Sequence, residues 1–428
     1  MIRENLMTID LLLADVAELV CVSINGKPKY GSEMNDPEVL KDISVAIDHG
    51  VILEVGKRDI LSAKYIPNLQ IDCSQRVVTP GWVDPHTHPV FVHTRENEFA
   101  LRIQGRSYVE ISQSGGGIRS TIRTTRNSSE EELYELAKKR ILQMLCQGTT
   151  TLEAKSGYGL TTESELKQLK VIGKLAEDLP VDIIPTFMGA HEYPEEYKND
   201  HQRYIDILCN EMLPAVTEQK IAVYCDIFTE GHVFNLAESR KILAKAAELG
   251  LRLKMHADEI EPMGGAELAA EMHCVSADHL GMTSDQGIEA LKRDGVVPVL
   301  LPATLFSLAS KTYARARDMI TANLPVAVAT DYNPGSCNCD SMPFVTTLSC
   351  LQMRMTPAEA ITAATINAAA AIQFEHRTGS ITVGKQADLL VWDIPSYQYI
   401  PYHIGSSNPE LIIKNGVVLN LNHQTQKI

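Results

Sequence analysis

The sequence predicts an α/β protein, a closed (β/α)8 TIM-like barrel with a small β-sandwich domain built from both chain ends. Three observations carry this prediction. Eight short apolar runs alternate with charged, helix-favouring stretches, the two flanks have a different strand-like pattern, and four of the eight runs lead into histidine or aspartate residues.

The alternation of strand and helix patterns fills the central part of the chain. Ser129 followed by Glu132 is the signature of a helix capping box, and further helical patterns cover residues 162–177 and 236–249. Eight repeats favour a closed parallel barrel. The alternative, an open doubly wound sheet, normally needs a glycine-rich turn after an early strand, and the sequence has none there. The predicted strands are residues 81–83, 149–154, 182–188, 223–228, 251–256, 274–278, 296–301 and 326–330.

The two flanks carry short alternating pieces separated by Gly and Asp turns. Asn415-Gly416 is a strong hairpin signal between two of these pieces. Neither flank alone has enough predicted strands for an independent sheet. We therefore expect residues 1–79 and 375–428 to form one composite β domain beside a barrel of residues 80–374.

Composition restricts the function classes. The net charge of −15 provides no basic field for nucleic acid or anionic membrane. Nine scattered cysteines favour a reducing compartment, so we expect a cytoplasmic protein, and the Cys337/Cys339 pair supplies only two of the about four ligands that a closed zinc site needs. The N-terminus lacks a signal-peptide pattern, and Pro298 and Pro302 interrupt the longest apolar stretch, which is too short for a membrane span.

The strongest chemical signal is the segment Asp84-Pro85-His86-Thr87-His88, directly after an apolar run. Residues two apart in an extended chain point to the same side, so both imidazoles project together at the carboxyl end of the first strand. Such a pair suits a divalent ion such as zinc or iron. Taken alone, the two histidines could equally be core or loop residues.

Three further strand ends carry residues of the same chemical kind. His256 ends the fifth run, His279 follows the sixth, and Asp331 follows the eighth. Active sites of such barrels lie at the carboxyl ends of the strands. Because an unpaired buried His or Asp is costly, this coincidence favours a metal and acid–base site over core packing.

These elements resemble a known superfamily. PGWVDPHTH, HADE, ADH and ATDYNPGS, in this order, resemble the amidohydrolases, and SGGGI, EAKSGYGL, FMGAHEYP and DYNPGS resemble the imidazolonepropionases within them. The resemblance implies a hydrolase that opens the ring of 4-imidazolone-5-propanoate with water to give N-formimidoyl-L-glutamate, in L-histidine catabolism. It also implies one divalent or trivalent ion per chain, zinc or iron, and a possible homodimer acting on a small molecule.

The resemblance also implies a role for each site residue. The implied metal ligands are His86, His88, His256 and Asp331. The implied catalytic residues are Glu259, His279 and Asp331. The implied substrate-binding residues are Arg95, Tyr158, His191, Glu259, Asn333, Gly335 and Ser336.

The residues themselves agree with several of these roles. Arg95 can grip a carboxylate with two parallel hydrogen bonds, although a surface salt bridge is the ordinary alternative. Tyr158 lies in a glycine-flanked turn after the second strand, and His191 follows the third; each could instead be structural. Residues 333–336 could form a plain turn. The glycines at 115–117 lack phosphate-loop spacing, so a lid or a close backbone approach fits better.

Other functions remain open at this stage. Two-metal members of the superfamily commonly carry a bridging carboxylated lysine on the fourth strand, but residues 223–230 contain no lysine and Lys155 lies on the second strand. One metal is therefore expected, and a dihydropyrimidinase-type activity is disfavoured. A metal-dependent cyclic-amidine or nucleobase-type deaminase and a non-catalytic barrel scaffold are the remaining alternatives.

Overall fold

The computed structural model describes residues 6–106 and 116–420, in which eighteen strands form three sheets. The strands are β1 Met7–Val16, β2 Glu18–Val20, β3 Val39–Leu40, β4 Ile43–Asp48, β5 Val51–Gly56, β6 Tyr65–Asp72, β7 Val77–Pro80, β8 Trp82–Asp84, β9 Thr149–Lys155, β10 Asp182–Ala190, β11 Tyr224–Thr229, β12 Arg252–Ala257, β13 Ser276–His279, β14 Val297–Leu300, β15 Ala327–Val328, β16 Leu389–Trp392, β17 Leu411–Lys414 and β18 Val417–Leu419.

Helices separate the strands of the central region and cover its outside. Over the described ranges, no helix is both long enough and apolar enough to cross a membrane. The α-helices are Arg58–Ser62, Glu96–Ile103, Ile118–Asn127, Glu130–Cys146, Thr162–Asp178, His201–Ile207, Leu213–Gln219, Leu236–Glu248, Gly265–Glu271, Asp285–Asp294, Pro302–Ser307, Ala316–Thr321, Met342–Met353, Pro357–Ala363, Ile366–Ala370 and Tyr399–Tyr402, with 3-10 turns at Gly31–Asn35 and Glu195–Tyr197 and a π-helical turn at Leu208–Met212.

Strands β8 to β15 form one sheet in sequence order, and every neighbouring pair is parallel. A bridge between Thr87 and Tyr332 joins the chain after β8 to the chain after β15. Its hydrogen bonds run from His88 N to Tyr332 O (2.8 Å) and from Asp331 N to His86 O (3.1 Å). The predicted barrel is confirmed, and the bonds that close it lie at the candidate site.

The eight predicted strands are confirmed with shifts of a few residues. The largest difference is β15, which is reduced to Ala327–Val328 because the following chain turns into the site. Ser129 caps the helix Glu130–Cys146 by accepting a hydrogen bond from Glu132 N at 3.1 Å. The structure records no return bond from the Glu132 side chain, so the expected capping box is only half formed.

The flanks form two sheets, and one of them corrects the expectation that neither flank alone has enough strands for a sheet. Strands β5-β4-β1-β6 form a sheet from the N-terminal flank alone. The sequence did not predict β6, because its residues are mostly exposed and lack regular alternation. The second sheet, β18-β17-β16-β7-β2-β3, mixes both flanks. Side chains of both sheets, such as Leu13, Val45, Leu389 and Ile413, share one core, which confirms the small β domain.

The small domain packs directly on the barrel. Trp82 of β8 contacts Trp392 of β16 edge-on, with ring centroids 6.0 Å apart. Trp392 Nε1 donates to Thr79 Oγ1 at 3.0 Å. This contact fixes the start of β8, the strand that leads into the paired histidines.

Candidate active site

The two histidines of the HxH segment meet Asp331 at the carboxyl end of the barrel. Nε2 of His86 lies 3.3 Å from Nε2 of His88, and Oδ1 of Asp331 lies 3.6 Å from each of these nitrogens. All three side chains are almost fully buried. The bonds that close the barrel hold both segments, so the geometry follows from the main chain.

His256 and His279 extend this cluster through His86. One ligand atom each of His86, His256 and His279 lies within 4.8 Å of the others, as do ligand atoms of His86, His88 and Asp331. The His86 and His256 ring centroids are 4.4 Å apart. The four expected metal ligands thus lie in two overlapping groups that share His86, and His279 belongs to one of them.

Three residues at these strand ends adopt left-handed backbone conformations. The φ angles are 49° at Asp258, 76° at His279 and 53° at Asp331. Such conformations cost a non-glycine residue about 1–3 kcal/mol and cluster at functional sites. Here they turn the chain out of β12, β13 and β15 so that polar side chains line the rim.

Two buried carboxylates orient the histidine rings. Asp278 Oδ2 lies 2.6 Å from His86 Nδ1, and Asp226 Oδ1 lies 3.1 Å from His256 Nδ1. Because each contact uses Nδ1, Nε2 of the same ring remains free to face the centre of the cluster. Carboxylates that hold the far nitrogen of a histidine in this way fix its tautomer in metal sites.

Burial dominates the protonation of this cluster. It lowers the pKa values of His86 and His88 well below the ordinary histidine value, so both rings are neutral. Burial also raises the pKa of Asp331 to about 6, although the hydrogen bond from Thr304 acts in the opposite direction. Neutral imidazoles and a carboxylate form a donor set suited to a cation.

Glu259 and His279 form a second pair at the rim. His279 Nδ1 lies 3.5 Å from Glu259 Oε2. Burial, with the nearby charges of Asp331 and Glu230, raises the pKa of Glu259 to about 8. Glu259 therefore carries a proton at neutral pH and can donate a hydrogen bond.

Tyr158 and His191 lie next to the metal-type histidines. The His191 ring stacks on His88, with centroids 5.2 Å apart and planes inclined by 24°, and Tyr158 lies 5.9 Å from His88. His191 Nδ1 lies 3.0 Å from Gly157 O. Burial lowers the pKa of His191 to about 3, so the ring is neutral, donates to this carbonyl and leaves Nε2 available.

Arg95 packs against the turn that follows Asp331. Its main-chain nitrogen donates to Pro334 O at 3.2 Å, and its Nε lies 3.4 Å from Glu98. A Cβ at Gly335 would lie 1.4 Å from Arg95 Nη2, so the guanidinium can occupy this position only next to a glycine. The ion pair that was the ordinary alternative for Arg95 is present, but the side chain is mostly buried rather than on the surface.

Asn333 organises this turn. Its Nδ2 donates to Asp331 O and Ser336 Oγ, and its Oδ1 accepts from the amides of Gly335 and Ser336, all at 2.8 Å. Its side-chain hydrogen-bonding groups are thus used within the turn. A ligand would exchange with one of these bonds or contact the surrounding main chain.

The expected glycine segment is only partly described. Ser114 and Gly115 lie outside the described residues. Gly117 has a φ of 74° and donates from its amide to Glu98 Oε1 at 2.7 Å. Because Glu98 also pairs with Arg95, the end of this segment is tied to the candidate substrate site.

A separate cavity of about 740 Å³ lies at the opposite end of the barrel, where β11 and β12 begin. Val223, Arg252 and Phe374 are among its lining residues, and none of the expected site residues lines it. The chemistry-bearing cluster is therefore distinct from this cavity.

The comparisons with known proteins identify the family of this chain. The amidohydrolase family model matches residues 77–420. The chain is 45% identical over 415 residues to imidazolonepropionase of Alkaliphilus oremlandii, covering 96% of this chain and 98% of that one. It is 47% identical over 403 residues to imidazolonepropionase of Clostridium tetani, covering 94% and 96%. The chain belongs to the amidohydrolase family, among the imidazolonepropionases.

Solved structures of other proteins share the fold at low sequence identity. A zinc-bound adenosine deaminase from Xanthomonas campestris has a TM-score of 0.69 at 18% identity, covering 99% of this chain and 98% of that one. A triazine hydrolase variant has a TM-score of 0.71 at 15% identity, covering 97% and 98%. These likenesses concern the fold alone.

Amidohydrolases are metal-dependent, and the donor geometry of this amidohydrolase fits an ion. A tetrahedral ion with bonds of about 2.0–2.1 Å needs ligand atoms roughly 3.3 Å apart. The two Nε2 atoms of His86 and His88 have this separation. Nδ1 of His86 contacts Asp278, so its Nε2 can face an ion that also reaches Nε2 of His88.

Several residues of this amidohydrolase site were not predicted from the sequence. Asp278 is the central residue of the ADH element, and Asp226 lies on the fourth strand, so their positions were visible but their contacts were not. Thr304 Oγ1 donates to Asp331 Oδ2 at 2.6 Å. Arg102 Nη2 donates to Gly335 O at 3.2 Å, which adds a second arginine beside Arg95. No sequence pattern signals the last two.

Proposed function

We propose that this chain hydrolyses 4-imidazolone-5-propanoate to N-formimidoyl-L-glutamate, a ring-opening step in the breakdown of L-histidine. The observation that carries the proposal is the 45–47% identity to imidazolonepropionases over more than nine-tenths of the chain. The cluster of histidines and Asp331 at the barrel rim supplies the chemistry that such a hydrolysis needs.

The metal would be one zinc or iron ion, held by His86, His88, His256 and Asp331. Three imidazoles and one carboxylate suit either element. The fourth barrel strand, Tyr224–Thr229, contains no lysine that could bridge a second ion. Elemental analysis of the purified protein should give one equivalent per chain, and two equivalents would contradict this part of the proposal.

The proposed mechanism is hydrolysis by an activated water. A bound divalent ion lowers the pKa of water from about 16 towards neutrality. Asp331 and His279 accept or relay the proton as the water attacks the ring carbonyl carbon, and His279 stabilises the oxyanion. Glu259, protonated at neutral pH, hydrogen-bonds a ring nitrogen and gives a proton to the departing nitrogen. Cleavage of this carbon–nitrogen bond opens the ring.

Binding of the substrate would use the surroundings of the cluster. Arg95 would hold the propionate carboxylate through two hydrogen bonds. Tyr158 and His191, which pack beside His88, would contact the ring. The turn that contains Asn333, Gly335 and Ser336 would contact the same ligand from the side of Arg95.

The direct test supplies the unstable imidazolone in place, by running the preceding enzyme of the pathway in the same cuvette. Its ultraviolet absorbance should fall faster with this protein than in a control without it, and this acceleration should disappear when a chelator removes the metal. Decay no faster with the metal-loaded protein than in the control would refute the proposal.

A deaminase of the same family remains the nearest rival, and Arg95→Gln separates the two. The imidazolone enzyme should lose substrate affinity, because the propionate loses its partner, whereas a nucleobase deaminase has no carboxylate to hold.

We also propose a cytoplasmic location, which suits the nine free cysteines, and a homodimer, which sedimentation can test.

A further inference from the structure

Five charged side chains lie inside the barrel, next to the Nδ1 side of the proposed metal ligands His86 and His256. Branched apolar side chains usually fill this space in such barrels. Buried charges are costly unless they are paired, and an ion pair stabilises the fold less than well-packed apolar residues do. The cluster therefore calls for a role other than packing. Its members, each with 0% relative exposure, are Glu153, Lys155, Asp226, Lys254 and Asp278.

Lys155 occupies the centre of this cluster. Its Nζ lies 2.6 Å from Asp226 Oδ2, 2.7 Å from Glu153 Oε1 and 3.9 Å from Asp278 Oδ2. Asp226 and Asp278 are the carboxylates that contact Nδ1 of His256 and His86. One ammonium group thus reaches both of the carboxylates that orient these rings.

We propose that Lys155 is a positioning residue of the active site, which locks together the two carboxylates that orient the metal-binding histidines. The inference rests on the proposed function in taking His86 and His256 as metal ligands. Asp226 uses Oδ1 for the histidine and Oδ2 for the lysine, so its carboxylate cannot rotate without breaking a contact. As a consequence, the orientation of the His256 ring is fixed, and its Nε2 points towards the ion.

The other members of the cluster have different contacts. Glu153 Oε1 accepts from Lys155 and also from Thr186 Oγ1 at 2.5 Å, which anchors the ammonium on the side away from the histidines. Lys254 Nζ donates to Pro85 O at 3.1 Å and approaches Asp278 at 3.6 Å. It supports the turn before the HxH segment. Within the described residues, Lys155 is the lysine whose Nζ has a recorded contact with both orienting carboxylates.

The test compares Lys155→Met with Lys414→Met. Lys414 is a matched control because it is also a buried lysine between two carboxylates, 2.6 Å from Asp182 and 2.7 Å from Asp388, and none of its recorded ion pairs involves a metal-type histidine. Metal-depleted proteins are titrated with zinc against a chromophoric chelator, and cobalt-loaded proteins give a visible spectrum of the ligand field.

We expect Lys155→Met to bind zinc about 10- to 100-fold more weakly and to change the cobalt spectrum. Lys414→Met should keep the wild-type zinc Kd and spectrum, even where its thermal stability falls. If folded Lys155→Met binds zinc with the wild-type Kd and gives the wild-type spectrum, the inference is wrong.

A second measurement leaves Lys155 in place, in case its substitution prevents folding. Asp226→Asn, Asp278→Asn and the double variant are titrated with zinc in the same way. If Lys155 couples the two carboxylates, the double variant loses less affinity than the product of the two single losses. If the double variant instead loses as much zinc affinity as the product of the two single losses, the inference is overturned. The proposed function is tested separately, because wild-type turnover of the imidazolone does not depend on this comparison.

Discussion

Thr304 donates a hydrogen bond of 2.6 Å from its Oγ1 to Oδ2 of Asp331. Thr304 lies in the first turn of the helix Pro302–Ser307 after β14, whereas Asp331 follows β15. The bond occupies one carboxylate oxygen and leaves Oδ1 facing the histidine pair. The helix after the seventh barrel strand therefore orients the proposed ligand after the eighth.

Thr304→Val should lower kcat/KM about tenfold and weaken zinc binding, because the isosteric side chain cannot donate to Asp331. Steady-state kinetics and chelator competition measure the two effects. Thr304→Ser keeps the hydroxyl group and should stay within about threefold of wild type. Equal kinetics for the valine and serine variants would show that this hydrogen bond does not orient Asp331.

Gly335→Ala should impair substrate binding without removing the metal. The new Cβ would lie 1.4 Å from Arg95 Nη2, so the guanidinium must move. We expect KM to rise at least tenfold if the lost contact is worth about 1.4 kcal/mol, with zinc content unchanged. Gly56→Ala is the control, since its Cβ would meet Leu61 at an ordinary 3.4 Å. An unchanged KM in Gly335→Ala would contradict the role proposed for Arg95.

Activity should fall as pH rises through about 8, where the buried Glu259 loses its proton. A carboxyl group with a raised pKa is a hydrogen-bond donor below that pKa and only an acceptor above it. The pH dependence of kcat/KM measures this step. Glu259→Gln keeps an N–H donor at every pH but has no proton to transfer, so its kcat/KM should be lower throughout and should lack this alkaline decrease. A decrease at the same pH in the glutamine variant would assign it to another group.

Limited proteolysis should test the proposed division into residues 1–79 with 375–428 and residues 80–374. Strand β16 pairs with β7, and both flanks contribute to one core, so neither end should survive as a folded piece by itself. Cleavage fragments should stay associated under native conditions and separate only in denaturant. Recovery of the two ends as independent folded fragments would refute the composite domain.

Much of the barrel could be predicted because its signals are local. Most of its strands are short apolar runs, and several are followed by long, charged helices such as Glu130–Cys146 and Thr162–Asp178. The N-terminal sheet was harder to predict, because β6 is mostly exposed and its residues give no regular alternation of apolar and polar side chains. Its pairing with β1 is a long-range contact that no local pattern encodes.

The candidate site likewise has features that the sequence predicts and contacts that it does not. The strand-end positions of His86, His256, His279 and Asp331 were visible in the sequence, since barrels place function at the carboxyl ends of their strands. The contacts of Lys155 were not visible. From the sequence, Lys155 is recognisable only as a lysine on the wrong strand to bridge two ions, whereas in the structure its Nζ contacts a carboxylate 71 positions further along the chain.

The sequence by itself determined the strand–helix order, the kinds of side chain at the barrel rim and the resemblance to amidohydrolases, because periodicity and short motifs are properties of neighbouring residues. Only the tertiary structure decided which carboxylate orients which histidine, that Thr304 and Arg102 take part, and that Asn333 uses its amide within a turn. These contacts join residues far apart in the chain, and their geometry depends on barrel closure and side-chain rotamers.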